Sequence, residues 1–191
     1  MDLTADDVDP TSARAWRDHE DVQLFERVRA GGPDAARRLF DRYGEDVHRI
    51  IRRIMGPDQD HDDAVQDAFI KIVRGASSVR EADRLRSWVI SVAANTARNR
   101  LRARSRFWRR FGGRSAREPV DLAGDVEAHT ELRAVYRHLD RLDPDTRTAF
   151  VLRYVEQYSL EEVARASGCS LATAKRRIAK ARTALRDWGV C

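Results

Sequence analysis

The stretch from Ser159 to Leu185, "SLEEVARASGCSLATAKRRIAKARTAL", constrains the fold more than any other part of the chain. Ser159 and Glu162 have the spacing of a capping box, in which two side chains satisfy each other's free amides at a helix start. Gly168 stands where a left-handed residue would end that short helix, and Ser170 is placed to cap the next one. Leu171, Ala174, Ile178, Ala181 and Leu185 then recur at alternating spacings of three and four, a single inward stripe. A short helix, a tight glycine-bearing turn and a second amphipathic helix are the layout of a helix-turn-helix.

The outward face of that second helix carries Thr173, Lys175, Arg176, Arg177 and Lys180. These are donors for guanine edges and phosphates at the part of a recognition helix that enters the major groove. Ser170 and the free amides beside it can hold a phosphate. A basic face that is merely solvated is the plainer alternative, but here the capping box, the turn glycine, the small Ala164 and the basic helix coincide. Cys169 in the turn reads as a small buried side chain, with no resolving cysteine near it to make a redox switch.

Ahead of this unit, Leu132, Val135, Tyr136, Leu139 and Leu142 form another apolar stripe. Asp143 and Pro144 supply an N-cap and a first-turn proline for a helix expected to bury Phe150, Val151 and Tyr154. The stretch "GGRSAREPVDLAGD" has glycine, proline and no period, and reads as a linker.

The first half is helical as well. Val22, Phe25 and Val28 share a face of a short segment closed by Gly31 and Gly32. After Pro33, a long helix places Ala36, Leu39, Phe40, Tyr43, Val47, Ile50, Ile51 and Ile54 on one stripe until Gly56 and Pro57 stop it. Asp60 is placed to cap the next helix, which is expected to bury Ala64, Val65, Ala68, Phe69 and Ile72. After the loop "GASSVREAD", a further helix carries Trp88, Val89, Val92 and Ala93 into "RNRLRARSRFWRRF". No run of alternating β-branched residues is long enough for a strand.

The expected architecture is therefore all-α: two small helical domains joined by a flexible linker, the C-terminal one a helix-turn-helix. The boundaries are an acidic, disordered arm over 1–19, an N-terminal domain over 20–111, a linker over 112–127 and the DNA-binding domain over 128–188. The acidic start has no apolar core and is not a signal peptide. No run approaches the roughly 18 to 20 apolar residues of a membrane span. Cys169 and Cys191 have no CxxC spacing, so neither a disulfide framework nor a thiolate metal site is indicated. A soluble, cytoplasmic chain is expected.

A net charge of +5 points to an anionic partner, and from Arg84 to Arg117 there is no acid at all. Beside the arginines, Phe107, Trp108 and Phe111 either stack on unpaired bases or cap the domain's core. Against this background "DHDDAVQDAF" is anomalous. Asp62, Asp63, Gln66 and Asp67 share one helical face, opposite Phe69 and Ile72. On the residues alone, what such a face meets stays open. The alternatives are solvated acids favoured by the helix dipole and a metal site on His61 with the aspartates. Against the metal, no second His or Cys lies at ligand spacing. There is no HExxH, P-loop or GxSxG, so no enzyme and no cofactor is indicated, and a stand-alone dimeric repressor would leave the first half idle.

The order "DAARRLFDRYGEDVHRII", "DHDDAVQDAFIKIVRG", "LRSWVISVAANTARNRLRAR", linker, then "LDRLDPDTRTAFVLRYVEQYSLEEVARASGCSLATAKRRIAKARTAL" resembles bacterial RNA polymerase sigma factors of the extracytoplasmic-function (ECF) group. The resemblance covers roughly residues 22 to 187 and implies an alternative sigma factor that binds core polymerase and directs promoter-specific initiation. It implies that the acidic helix docks on the clamp of the largest polymerase subunit, with the flap as a second polymerase contact. It implies that Ser77, Ser78, Val79 and Arg80 in the loop, with Asn95, Arg98, Asn99 and Arg102 on the helix after it, capture promoter bases as the duplex melts. Trp88 reads as core. An anti-sigma protein covering these surfaces is the further partner implied.

Overall fold

A computed structural model describes residues 21–111 and 135–187; the expected arm over 1–19 and linker over 112–127 lie outside the described residues. The described residues hold eight α-helices, labelled α1 to α8 in chain order, and no strand. In the first half these are α1 (21–29), α2 (Ala35–Met55), α3 (His61–Gly75) and α4 (Leu85–Phe111). The second half has α5 (135–139), α6 (Pro144–Phe150), α7 (Leu160–Ala166) and α8 (Leu171–Asp187).

The α2 stripe explains the first core. Leu39, Tyr43, Val47, Ile50, Ile51 and Ile54 are buried, facing Ala64, Ala68 and Ile72 of α3 and Leu85, Val89, Ala93 and Ala97 of α4. The alanines on α3 and α4 let these helices approach closely, and each fully buried isoleucine contributes about 1.5–3 kcal/mol. Three expectations on this core shift. Phe40 stays 57% exposed and lies against Phe69, ring centroids 4.9 Å apart. Ala36 is exposed. Val22 points outward while Leu24 joins Phe25 and Val28 inside.

Helix ends follow local chemistry in most places. Gly56, with φ of +71°, ends α2 and returns its amide to the Arg52 carbonyl at 2.7 Å. Asp60 does not cap α3 with its side chain; its amide instead donates to Asp58 Oδ1 at 3.0 Å. In the second half Asp143 caps α6, accepting from the Thr146 amide at 2.9 Å. Ser159 and Glu162 close the capping box of α7 in both directions, at 3.2 and 2.7 Å. Gly168 adopts φ of +61°, and Ser170 Oγ accepts from the Thr173 amide at 3.2 Å.

The second core gathers Leu139, Leu142, Ala149, Val151, Leu152, Val163, Ala164, Ala174, Ile178, Ala181 and Leu185. Leu171 remains 36% exposed, so the inward stripe of α8 begins at Ala174. Leu152 is buried instead of Tyr154, because α6 widens into a π-helical turn over Val151–Val155. The Glu156 amide there reaches back to the Val151 carbonyl at 3.0 Å. The wider turn rotates the residues downstream of it, a common device where a helix must re-aim a side chain.

The residue so aimed is Glu156. Its side chain is only 3% exposed and bonds Arg49 Nε at 3.2 Å and Arg53 Nη1 at 2.7 Å, both on α2. The halves thus pack together, with α4 lying between α2 and α3 on one side and α6 and α7 on the other.

Candidate nucleic-acid interface and acidic face

The helix-turn-helix stands on α7, the Gly168 turn and α8. Its buried alanines keep α8 close to α6 and α7, and the opposite face carries Lys175 and Arg176, both exposed. Thr173 is partly covered and shares its hydroxyl with Ser170 at 2.9 Å. Lys180 is exposed but reaches the N-cap carboxylate of Asp143 at 2.8 Å. Arg177 turns inward: its side chain is 22% exposed and pairs with Asp145 Oδ1 at 3.1 Å.

Asp145 is where the two halves meet. From α4, Arg102 Nη2 reaches Asp145 Oδ2 at 2.5 Å and Arg98 Nη1 lies 3.6 Å from Oδ1. Arg98 also donates to the Ser167 carbonyl at 2.7 Å, at the end of α7. Three arginines drawn from two separate sequence motifs therefore converge on one carboxylate. Burial lowers the Arg98 pKa below the usual guanidinium value, with Arg102 and Arg177 adding to the effect and Asp145 opposing it. The cluster keeps an excess of positive charge, a state that an incoming polyanion relieves.

The remaining residues of the first-half set are spread over the loop and α4. Ser77, Arg80 and Asn99 are exposed and Asn95 is partly covered. Ser78 bonds the Gly75 carbonyl at 2.7 Å, which folds the loop. Val79 is turned into the core at 8% exposure, so it anchors the loop instead of lining its outer side. Trp88 packs against the core, as expected, and sits so close to Gly75 that a Cβ there would lie 2.8 Å from the indole ring. Phe107 is 55% exposed; the side chains of Trp108 and Phe111 lie outside the described residues.

On α3, Asp62, Asp63 and Gln66 are exposed, with the Asp62 side chain 97% open to solvent. Asp67 differs from its neighbours: it is ion-paired to Arg100 of α4 and so also ties two helices together. Beside this face the fold makes a meeting that spacing did not predict. His48 of α2 lies edge-on to His61, ring centroids 4.4 Å apart. Sequence reasoning also missed Asp145 and Glu156, which look like ordinary surface acids until the halves are docked.

Two packed helical units, one carrying an open basic helix-turn-helix and the other an open acidic face, define a DNA-binding protein that also engages a protein partner. Residues 39–107 match the model for Sigma-70 region 2 and residues 132–185 that for Sigma-70, region 4. The chain is 31% identical over 180 residues to the RNA polymerase sigma-H factor of Pseudomonas aeruginosa, covering 87% of this chain and 92% of that protein. It is 32% identical over 176 residues to the ECF RNA polymerase sigma-E factor of Escherichia coli K12, covering 86% and 92%. Among solved structures it is similar to CnrH in complex with the cytosolic domain of CnrY, with a TM-score of 0.63, 26% identity and coverage of 88% of this chain and 96% of that one. The fold is shared with RpoE of Bartonella quintana, solved with the anti-sigma factor NepR, at a TM-score of 0.58 and 21% identity over 75% and 89%. The chain belongs to the ECF group of the sigma-70 family, the factors that direct RNA polymerase to promoters.

Proposed function

We propose that the roles within this sigma factor divide by surface. Asp62, Asp63 and Gln66 form the polymerase-docking face of α3, with Asp67 as its edge. Lys175 and Arg176 read base edges of the upstream promoter element, while Ser170, Thr173, Arg177 and Lys180 hold phosphates. Ser77, Ser78 and Arg80 with Asn95, Arg98, Asn99 and Arg102 receive the melting strand, and Val79 supports the loop from inside. Opening a base pair costs a few kcal/mol, and trapping the flipped base offsets part of that. Melting is driven by binding, and the factor contributes no chemistry of its own.

The observation that carries this reading is the separation of charge. An exposed acidic face on α3 and an exposed basic face on α8 occupy different helices, while the arginines between them are tied to Asp145. Polymerase and promoter must compete with that tie for Arg98, Arg102 and Arg177. A protein partner of the kind bound by RpoE of Bartonella quintana, an anti-sigma factor, is expected to favour the closed arrangement in a cytoplasmic pool. Among the described residues no helix is long and apolar enough to cross a membrane.

The test is capture of core polymerase by the Asp62→Lys/Asp63→Lys variant. Both positions are exposed, so no core contact is lost. Loss of capture supports the assignment of α3; undiminished capture refutes it.

A further inference from the structure

His48, His61 and Asp62 come together at the junction of α2 and α3. One ligand atom from each lies within 4.8 Å of the others, two imidazole nitrogens and a carboxylate oxygen. His61 Nδ1 is 3.3 Å from Asp62 Oδ1. Its side chain is 12% exposed, and its other nitrogen, Nε2, is buried without a hydrogen-bond partner. A buried ring nitrogen in that state is costly unless something takes its lone pair or its proton.

We propose that His48, His61 and Asp62 bind a divalent transition-metal ion of the zinc class, with water completing the coordination shell. Two imidazoles and one carboxylate are the donor set of open zinc sites, where a fourth position is left to solvent. The ligand atoms need to close by about 1 Å to reach bonding distances near 2.0–2.2 Å, and both His48 and Asp62 are exposed enough to move. Arg52 and the positive end of the α3 dipole oppose a cation; Asp62 and the first-turn Asp63 offset them. Hard cations such as magnesium, which prefer all-oxygen sites, are excluded by the two imidazoles.

Occupancy would also withdraw Asp62, the most open acid of α3, from the docking face. This consequence rests on the docking role proposed above. A metal ion there weakens polymerase association, so metal supply is linked to sigma activity.

The experiment is titration of the full chain with Zn²⁺ by calorimetry, and with Co²⁺ by visible absorption, for the parent, His48→Gln, His61→Gln and Asp62→Asn proteins. His138→Gln, away from the cluster, is the control. Asp62→Asn is solvent-exposed and cannot fail through misfolding. One equivalent is expected to bind, with losses beyond the roughly 10- to 100-fold that outer-shell changes cost in the first three variants and none in the control. Equal binding by the parent and the three variants, or no binding, overturns the site. Polymerase capture is then measured with and without Zn²⁺. Weaker capture for the parent, unchanged in His48→Gln, supports the link to docking. Metal binding with unchanged capture overturns that link, and the Asp62→Lys/Asp63→Lys variant reports separately on whether α3 docks at all.

Discussion

Asp145 at the head of α6 receives Arg102 from α4 at 2.5 Å, a contact between the helix after the region 2 loop and the helix before the helix-turn-helix. Arg98 and Arg177 join the same carboxylate. The α4 arginines assigned to grip DNA are therefore held by a carboxylate of the second half, which also takes Arg177 of α8, until something displaces them.

Replacing Asp145 by Asn removes the charge and keeps the size. The seam should lose on the order of 1–2 kcal/mol, less than the 3–5 kcal/mol of a fully buried pair because water reaches Arg102. Small-angle scattering should show a larger radius of gyration for the free protein. Fluorescence anisotropy should show tighter binding to duplex at low salt. An unchanged radius and unchanged binding would mean that Asp145 does not hold the halves together.

Lys175 and Arg176 stand clear of the seam, so their loss isolates base reading. Alanine at either should cost about 1–3 kcal/mol per lost base contact and relax preference at one position of the upstream element. Lys180→Ala should instead weaken all sequences evenly and lower the salt slope by roughly one. Competition binding against single-base variants of the promoter distinguishes the two. Uniform loss in the Arg176 variant would remove it from base recognition.

What the sequence disclosed was whatever depends on neighbours along the chain. The Asp143–Pro144 start, the Ser159–Glu162 box and the Gly168 turn are all local, and each forms as expected, while the α2 stripe forms except at Ala36 and Phe40. What it withheld depends on neighbours in space. Glu156 faces Arg49 across 107 positions, and only the π-helical turn at Val151–Val155 aims it there. His48 and His61 sit on different helices, so ligand spacing within one helix could not reveal them. Phe40 fits the period of α2 but lies at its border, where the stripe is wider than the groove it fills. The acidic face was legible, but the tie between Asp67 and Arg100 was not.

Acid should loosen the second half. Burial disfavours the charged form of Asp143, but bonds from Lys180 and from the Thr146 amide and hydroxyl outweigh it and hold the carboxyl below its usual range. The Ser159 amide does the same for Glu162, against a smaller burial effect. Both folded pKa values thus lie below those of the unfolded chain, and the unfolded chain takes up protons first as pH falls. Their stabilisation is full above the ordinary carboxylate pKa, roughly 4, and is lost as pH drops through the folded values. Urea unfolding at stepped pH should show this loss, and Asp143→Asn with Glu162→Gln should flatten it. An identical pH slope in the double variant would contradict the assignment.

Gly75 touches the Trp88 ring closely enough that any side chain must push it. Gly75→Ala should destabilise the first half by about 1–3 kcal/mol, as overpacking does. It should also shift the loop that carries Ser77 and Arg80. Thermal unfolding measures the first effect and tryptophan fluorescence the second; a variant as stable as its parent would show that the indole has room to retreat.

The most direct measurement is transcription in vitro with bare bacterial core polymerase across a genomic promoter library. The parent protein is expected to create discrete start sites absent with core alone. Asp62→Lys/Asp63→Lys should abolish them all, and Lys175→Ala/Arg176→Ala should redistribute them. Start sites that appear equally with and without the protein would contradict a division of labour between an acidic docking helix and a basic reading helix.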